Sequence, residues 1–304
     1  MSTLPVVVAV DGSDDSLVAL DWAFDAALLH AAPLRVVHVQ QYPAWARPGM
    51  LPAGRTAPED DPVLDHVRRY LAGRVEQPEV QYRALDGAAG VLLPELGAEA
   101  RMLVLGSRGR GGFAGLLLGS TGMTVARDAA CPVVVVPKPG SRVVEDTQVE
   151  PGPRVVVGLQ VDSPDDATLS FAFTQATAYG ARLQVVAAYS WPAHIWTAAP
   201  AQILPPSVDQ DAVEGDTRAL AEGHLAPYRE RHPEVRAEPY VAPGDAAGLL
   251  VSASKDAQLV VVGRHRRRLL APARMMGSVA QAVLLHAASP VAVVPPAPPA
   301  PPEE

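Results

Sequence analysis

The chain repeats itself, and that repeat restricts its fold more than any other feature of the sequence. Val6-Val7-Val8-Ala9-Val10 returns as Val155-Val156-Val157-Gly158-Leu159. At the same spacing, Trp22-Ala23-Phe24 returns as Phe171-Ala172-Phe173, and Leu34-Arg35-Val36-Val37 as Leu183-Gln184-Val185-Val186. Small insertions then shift the alignment. Leu103-Val104-Leu105-Gly106 matches Val260-Val261-Val262-Gly263, and Gly119-Ser120 matches Gly277-Ser278. Each half closes with a proline and a β-branched run, at 132–136 and 290–294. One pattern written twice in 304 residues implies two domains of one fold. The expected division is a first domain over 1–140, a linker over 141–153 rich in Pro, Gly and charge, a second domain over 154–295, and a Pro-rich tail over 296–304.

Within one half, strands alternate with helices. The continuous apolar run at 6–10 suits a strand covered on both faces. Ser13 is placed to cap the following helix, and Asp14 and Asp15 favour its first turn through the helix dipole. Leu17, Leu20, Ala23, Phe24, Ala27 and Leu28 keep helical spacing. Further strands are expected at 34–39, 80–85, 102–105 and 132–136, and helices at 62–75, 91–100 and 120–128. This alternation defines an α/β protein of two tandem Rossmann-like domains, each a parallel, doubly wound sheet flanked by helices. The segments 41–61 and 191–209 break the pattern and read as long loops after the second strand of each half, of the length that function or mobility accounts for.

Composition narrows the function. With 48% hydrophobic and 19% charged residues, the chain suits a packed core and not a disordered ensemble. A net charge of −8 and the lack of a long basic stripe argue against nucleic acid as a partner. No apolar run has membrane-spanning length, and the opening residues carry neither a basic n-region nor a cleavage pattern. A cytoplasmic protein without a membrane partner is therefore expected. The single cysteine, Cys131, reads as a buried small hydrophobe.

The chemistry is concentrated after the fourth strand, in Gly106-Ser107-Arg108-Gly109-Arg110-Gly111-Gly112, and then in Gly119-Ser120-Thr121 at a helix start. Glycines let main chain approach a ligand closely. The N–H groups and positive dipole end of the helix make an anion site, to which Ser120 and Thr121 add hydroxyls and Arg108 and Arg110 add charge. In an open parallel sheet, ligands bind at the carboxyl ends of the strands where the winding reverses. With the first and fourth strands adjacent there, Asp11 faces this glycine loop and can accept from a nucleobase amine or a ribose hydroxyl. Its plainer alternative is to end the strand or cap the next helix. No Gly-x4-Gly-Lys-[Ser/Thr] loop, Gly-x-Ser-x-Gly elbow or His-Glu-x-x-His site occurs, and the eight histidines are scattered, so neither a catalytic residue nor a metal ligand is assigned.

The spacing Gly106-x2-Gly109-x9-Gly119-Ser120, the opening Asp11-Gly12-Ser13 after a Val-rich strand, and the strand ending His38-Val39 are similar to the signature of ATP-binding universal stress proteins. The resemblance runs over nearly the whole chain, twice. It implies a five-stranded parallel sheet in each half, tight ATP binding with magnesium as companion ion, little or no hydrolysis, dimerisation, and a regulatory role in stress physiology read by a protein partner. By the same resemblance Asp11 and Val39 contact adenine, Gly106 and Gly109 lie near ribose and phosphate, and Gly119, Ser120 and Thr121 hold the phosphates. Two other classes compete: a nucleotide hydrolase or adenylate-forming enzyme on a related fold, and a scaffold that binds no nucleotide.

The second half departs from the motif. Gln160 stands where Asp11 does, Val161 replaces Gly12, and Arg266 replaces Gly109 inside the basic run 264–268. Gly263, Gly277 and Ser278 remain, and the Gln160 amide can still pair with adenine. The second half is expected to bind nucleotide weakly, differently or not at all.

Overall fold

A computed structural model of the chain describes residues 3–40, 57–109, 118–138, 152–189, 209–264 and 276–297. Most of the linker, most of the tail, the larger part of both long loops, and Arg110 and Arg266 lie outside these described residues.

The first half runs β1 (Val6–Val10), α1 (Asp14–Leu29), β2 (Leu34–Gln40), α2 (Pro62–Leu71), β3 (Val80–Asp86), α3 (Ala89–Glu95), β4 (Met102–Gly106), α4 (Ser120–Asp128) and β5 (Val133–Val136). Local chemistry accounts for the boundaries. The Ser13 hydroxyl accepts from the Ser16 amide and starts α1. Asp61 followed by Pro62 starts α2, the carboxylate taking the Val63 and Leu64 amides. The α2 helix stops at Leu71, short of the expected 75, with Ala72 as its cap and Gly73 beyond. The third helix begins at Ala89 and tightens into a 3-10 turn at Leu96–Glu99, so the expected 91–100 span is two structures in series.

The second half repeats the order: β6 (Arg154–Gly158), α5 (Asp166–Tyr179), β7 (Arg182–Tyr189), α6 (Gln210–Arg231), β8 (Ala237–Pro243), α7 (Ala246–Ala253), β9 (Leu259–Gly263), α8 (Ser278–His286) and β10 (Val291–Val294). Its first helix starts late. Asp165 is the N-cap, so the β6–α5 connection covers 159–165 where the β1–α1 connection covers only 11–13.

The ten strands of the described residues form one sheet, in the order β3-β2-β1-β4-β5-β10-β9-β6-β7-β8. Each half is a five-stranded parallel sheet, and the halves join where β10 pairs antiparallel with β5, Val291 opposite Val135 and Val293 opposite Val133. These are the closing strands of the two halves. Alternate residues of the strands feed two cores. Val6, Val8, Leu34 and Val36 pack with α1 and α2, while Val7, Val37, Leu103 and Leu105 pack with α3 and α4. The second half does the same with α5 and α6 on the first face and α7 and α8 on the second. The helices thus lie in two layers over a buried sheet, as parallel strands require. Cys131 is buried, and burial pushes its thiol up to about 12, so it behaves as an apolar side chain.

Candidate functional site

The winding reverses between β1 and β4. They are parallel neighbours, Val6 beside Met102 and Val8 beside Val104, with β2 on the far side of β1 and β5 on the far side of β4. A crevice therefore opens at their carboxyl ends, the position where open α/β sheets bind ligands.

Asp11 stands at the end of β1. Gly12 follows at φ +79°, a left-handed turn that glycine adopts freely and that brings the chain round into α1. The Ser13 amide and hydroxyl both donate to Asp11 Oδ1, the amide at 3.0 Å. Asp11 therefore does organise the strand-to-helix turn. Its other oxygen faces the glycine loop: a Cβ on Gly109 would lie 2.6 Å from Asp11 Oδ2. The structure brings Asp11 and Gly109 together, as the sequence required.

Gly106 serves a different contact. A Cβ there would lie 2.6 Å from the Asp15 carbonyl oxygen, so its bare Cα lets the first turn of α1 close against β4. Arg108, expected to offer charge to phosphates, turns its Nε to Asp15 Oδ2 at 3.2 Å, and the Ser107 hydroxyl donates to the same oxygen at 3.2 Å. Asp15 is buried, so part of the Arg108 charge offsets that carboxylate.

Gly119 closes the loop by donating its amide to Ser107 O at 2.8 Å, and it is the N-cap of α4. Five helices, α1, α2, α5, α6 and α7, have a Ser or Asp side chain accepting at this position. The α4 and α8 helices instead open on Gly119 and Gly277, which carry none. The first bond of the α4 ladder runs from the Met123 amide to Gly119 O, leaving the amides of Ser120, Thr121 and Gly122 ahead of it at the positive end of the helix. Ser120 is exposed and Thr121 half-buried.

Val39 lies on the α3/α4 face of the sheet at the end of β2, half-buried, beside Leu85 of β3. Ala9 of β1 packs on that same face. Together the three form an apolar floor next to Asp11. The sequence pointed to Val39 alone. Ala9 and Leu85 follow from strand register, which periodicity within one strand does not supply.

A buried carboxylate sits behind β2. Asp61 is fully buried, and its Oδ2 lies 2.7 Å from His38 Nδ1 and 3.0 Å from Gln40 Nε2. Its Oδ1 accepts from the Val63 and Leu64 amides. Burial alone would raise the Asp61 pKa, but the hydrogen bonds from His38, Gln40 and Leu64 outweigh it and hold the carboxyl below its ordinary range. His38 is a half-buried residue of β2; Asp61 was not among the residues singled out from the sequence, although an Asp-Pro pair ahead of an apolar helical run is a helix-start signal.

The second crevice is built differently. Gln160 is exposed, and its carbonyl accepts from the Ser163 amide at 3.1 Å. The floor positions are Gly158, Ala188 and Ala242, with Leu250 Cδ1 3.0 Å from where a Gly158 Cβ would be. Gly263 packs on Thr168, whose Oγ1 would be 2.7 Å from an added Cβ. Gly277 and Ser278 still open α8, so the anion-type helix start persists without a carboxylate at the Asp11 position.

Two doubly wound α/β domains, each with a glycine-opened helix at its switch point, define the class: a tandem Rossmann-like protein. The model of the universal stress protein family matches residues 3–137 and 153–295, and the chain belongs to that family. It is 33% identical over 300 residues to Universal stress protein Rv2005c of Mycobacterium tuberculosis, covering 95% of this chain and 96% of the relative. The crystal structure of a universal stress protein from Archaeoglobus fulgidus DSM 4304 is similar with a TM-score of 0.62 at 16% identity, over 97% of this chain and 99% of that one. The universal stress protein from Archaeoglobus fulgidus in complex with dAMP is similar to one part of this chain, 47%, and 98% of its own, at 23% identity and a TM-score of 0.31. Among the described residues no helix is long and apolar enough to cross a membrane, and no group of three or more His, Cys, Asp or Glu is placed to hold a metal ion.

Proposed function

We propose that the first crevice binds an adenine nucleotide, ATP foremost, and that the chain acts as a nucleotide-dependent binding module in the stress response with little or no hydrolysis. The observation that carries this reading is the meeting of Asp11 with Gly109 at the switch point, beside a helix that opens without a capping side chain. Adenine lies on the floor of Ala9, Val39 and Leu85, with the Asp11 carboxylate accepting from its amine or from a ribose hydroxyl. The phosphates meet the amides of Ser120, Thr121 and Gly122 and the two hydroxyls, where helix geometry favours an anion. Magnesium enters as the companion of the triphosphate. Arg108 contributes only the part of its charge that Asp15 leaves.

The second crevice binds weakly or not at all, because its floor is smaller, Leu250 crowds Gly158, and Gln160 replaces the carboxylate. A cytoplasmic partner protein reads the occupied state, which requires ATP to favour one conformation or assembly over another. Since β5 and β10 already pair within the chain, a homodimer joins through another face.

The test is mass spectrometry of small molecules released from the denatured, freshly purified protein, with calorimetry of wild type and Asp11→Ala. One tight ATP site per chain, lost in Asp11→Ala while the fold persists, is the expected result. ATP retained by Asp11→Ala at wild-type affinity overturns the site.

A further inference from the structure

Arg264 follows Gly263 at the carboxyl end of β9, where it stands in the repeat at the place of Ser107. The backbones of the two residues behave alike: the Ser107 amide donates to Val136 O and the Arg264 amide to Val294 O. Their side chains do not. Ser107 donates to Asp15 within its own domain. Arg264 crosses the seam, and its Nη1 lies 2.6 Å from Arg127 O, 2.9 Å from Ala129 O and 3.3 Å from Ala126 O. These carbonyls belong to the last turn of α4 and to its cap residue, Ala129, the groups a helix leaves without intrahelical donors. A guanidinium is permanently charged and meets the negative end of the helix dipole there.

The other end of α4 is the proposed phosphate site. A nine-residue helix is too short to be stable by itself, so its order depends on what holds its ends and its buried face. Val125 and Ala126 hold the face, Gly119 ties the amino end to Ser107, and Arg264 holds the carboxyl end from the neighbouring domain.

We propose that Arg264 is a positioning residue for the nucleotide site of the first domain: by capping α4 from the second domain, it keeps the amides of Ser120, Thr121 and Gly122 aimed at the phosphates. This rests on the reading that the start of α4 holds phosphate. It makes the second domain a working part of the first site whether or not its own crevice binds anything.

The experiment uses the full chain, with Arg264→Ala and Arg264→Lys, calorimetric titration of adenosine and of ATP, and hydrogen exchange over 120–129. Arg264→Ala weakens ATP by about two- to fivefold, the size of a helix-end charge effect. It leaves adenosine affinity unchanged and speeds exchange in α4. Arg264→Lys, which keeps the charge without the planar fork, recovers part of the loss. Wild-type ATP affinity in Arg264→Ala, or equal losses for adenosine and ATP, overturns the proposal. Should the wild type bind neither ligand, the reading of the site falls first, and unchanged exchange over 120–129 in Arg264→Ala then removes the brace as well.

Discussion

Replacing Gly109 by alanine tests the site at its narrowest point. The new Cβ would sit 2.6 Å from Asp11 Oδ2, inside the 3.0 Å that real Cβ contacts essentially never cross. Gly109 has no left-handed φ, so alanine meets no backbone strain, and among the described residues the group that must give is a carboxylate. Oδ1 is anchored by the Ser13 amide and hydroxyl, so the carboxylate yields by swinging Oδ2 away from the crevice. A hydrogen bond to a charged group contributes roughly 1.5–3 kcal/mol, so its loss weakens ATP by about tenfold to a hundredfold. Because the clash involves the far end of a side chain, unfolding free energy stays within about 0.5 kcal/mol of wild type. The assay is a calorimetric cycle of wild type, Gly109→Ala, Asp11→Ala and the double variant. If alanine acts by displacing Asp11, adding it to Asp11→Ala costs little more, whereas independent effects add within about 0.5 kcal/mol. Additive losses, or wild-type affinity in Gly109→Ala, would refute the mechanism.

Two further outcomes concern the frame around the site. Gly106→Ala drives a Cβ to 2.6 Å from the Asp15 backbone carbonyl and destabilises the chain by about 1–3 kcal/mol in urea titration, whereas Gly263→Ala meets side-chain atoms, Thr168 Oγ1 at 2.7 Å and Asp165 Oδ2 at 3.5 Å, and costs less; equal losses contradict the distinction. Asp61→Asn, which disturbs a carboxylate serving four donors, costs about 1–3 kcal/mol at neutral pH. The folded carboxyl titrates below its ordinary value of 3.8, so its contribution is present above that value and is lost as pH falls through the folded one. The gap between wild type and Asp61→Asn in urea titrations therefore narrows below that value; a gap independent of pH contradicts the assignment.

Where local chemistry decides, the sequence was readable. The apolar run of β1, the Ser13 cap, the glycine opening of α4 and the closing strand of each half depend on neighbouring residues or on the repeat, and all are found. What escaped depends on residues far apart in the chain. Arg108 was assigned to phosphate from its place in the loop, yet Asp15, which binds it, comes from the first helix. Asp61 meets His38 and Gln40 across a long excursion of chain. Arg264 stands in the sequence as one residue of the basic run 264–268, and its side chain reaches a helix of the other domain.

The antiparallel seam between β5 and β10 has a genetic as well as a mechanical result. In an assembly of identical subunits every substitution is made twice, once on each side of the axis, and any contact it creates must be its own mirror. Here both partners are encoded on a single polypeptide, their local concentration is fixed by the tether, and dilution cannot part them. Each side can therefore change alone. One half here keeps Asp11 and its glycines while the other carries an arginine, in the place of a serine, that contacts its neighbour, a division closed to a symmetric pair.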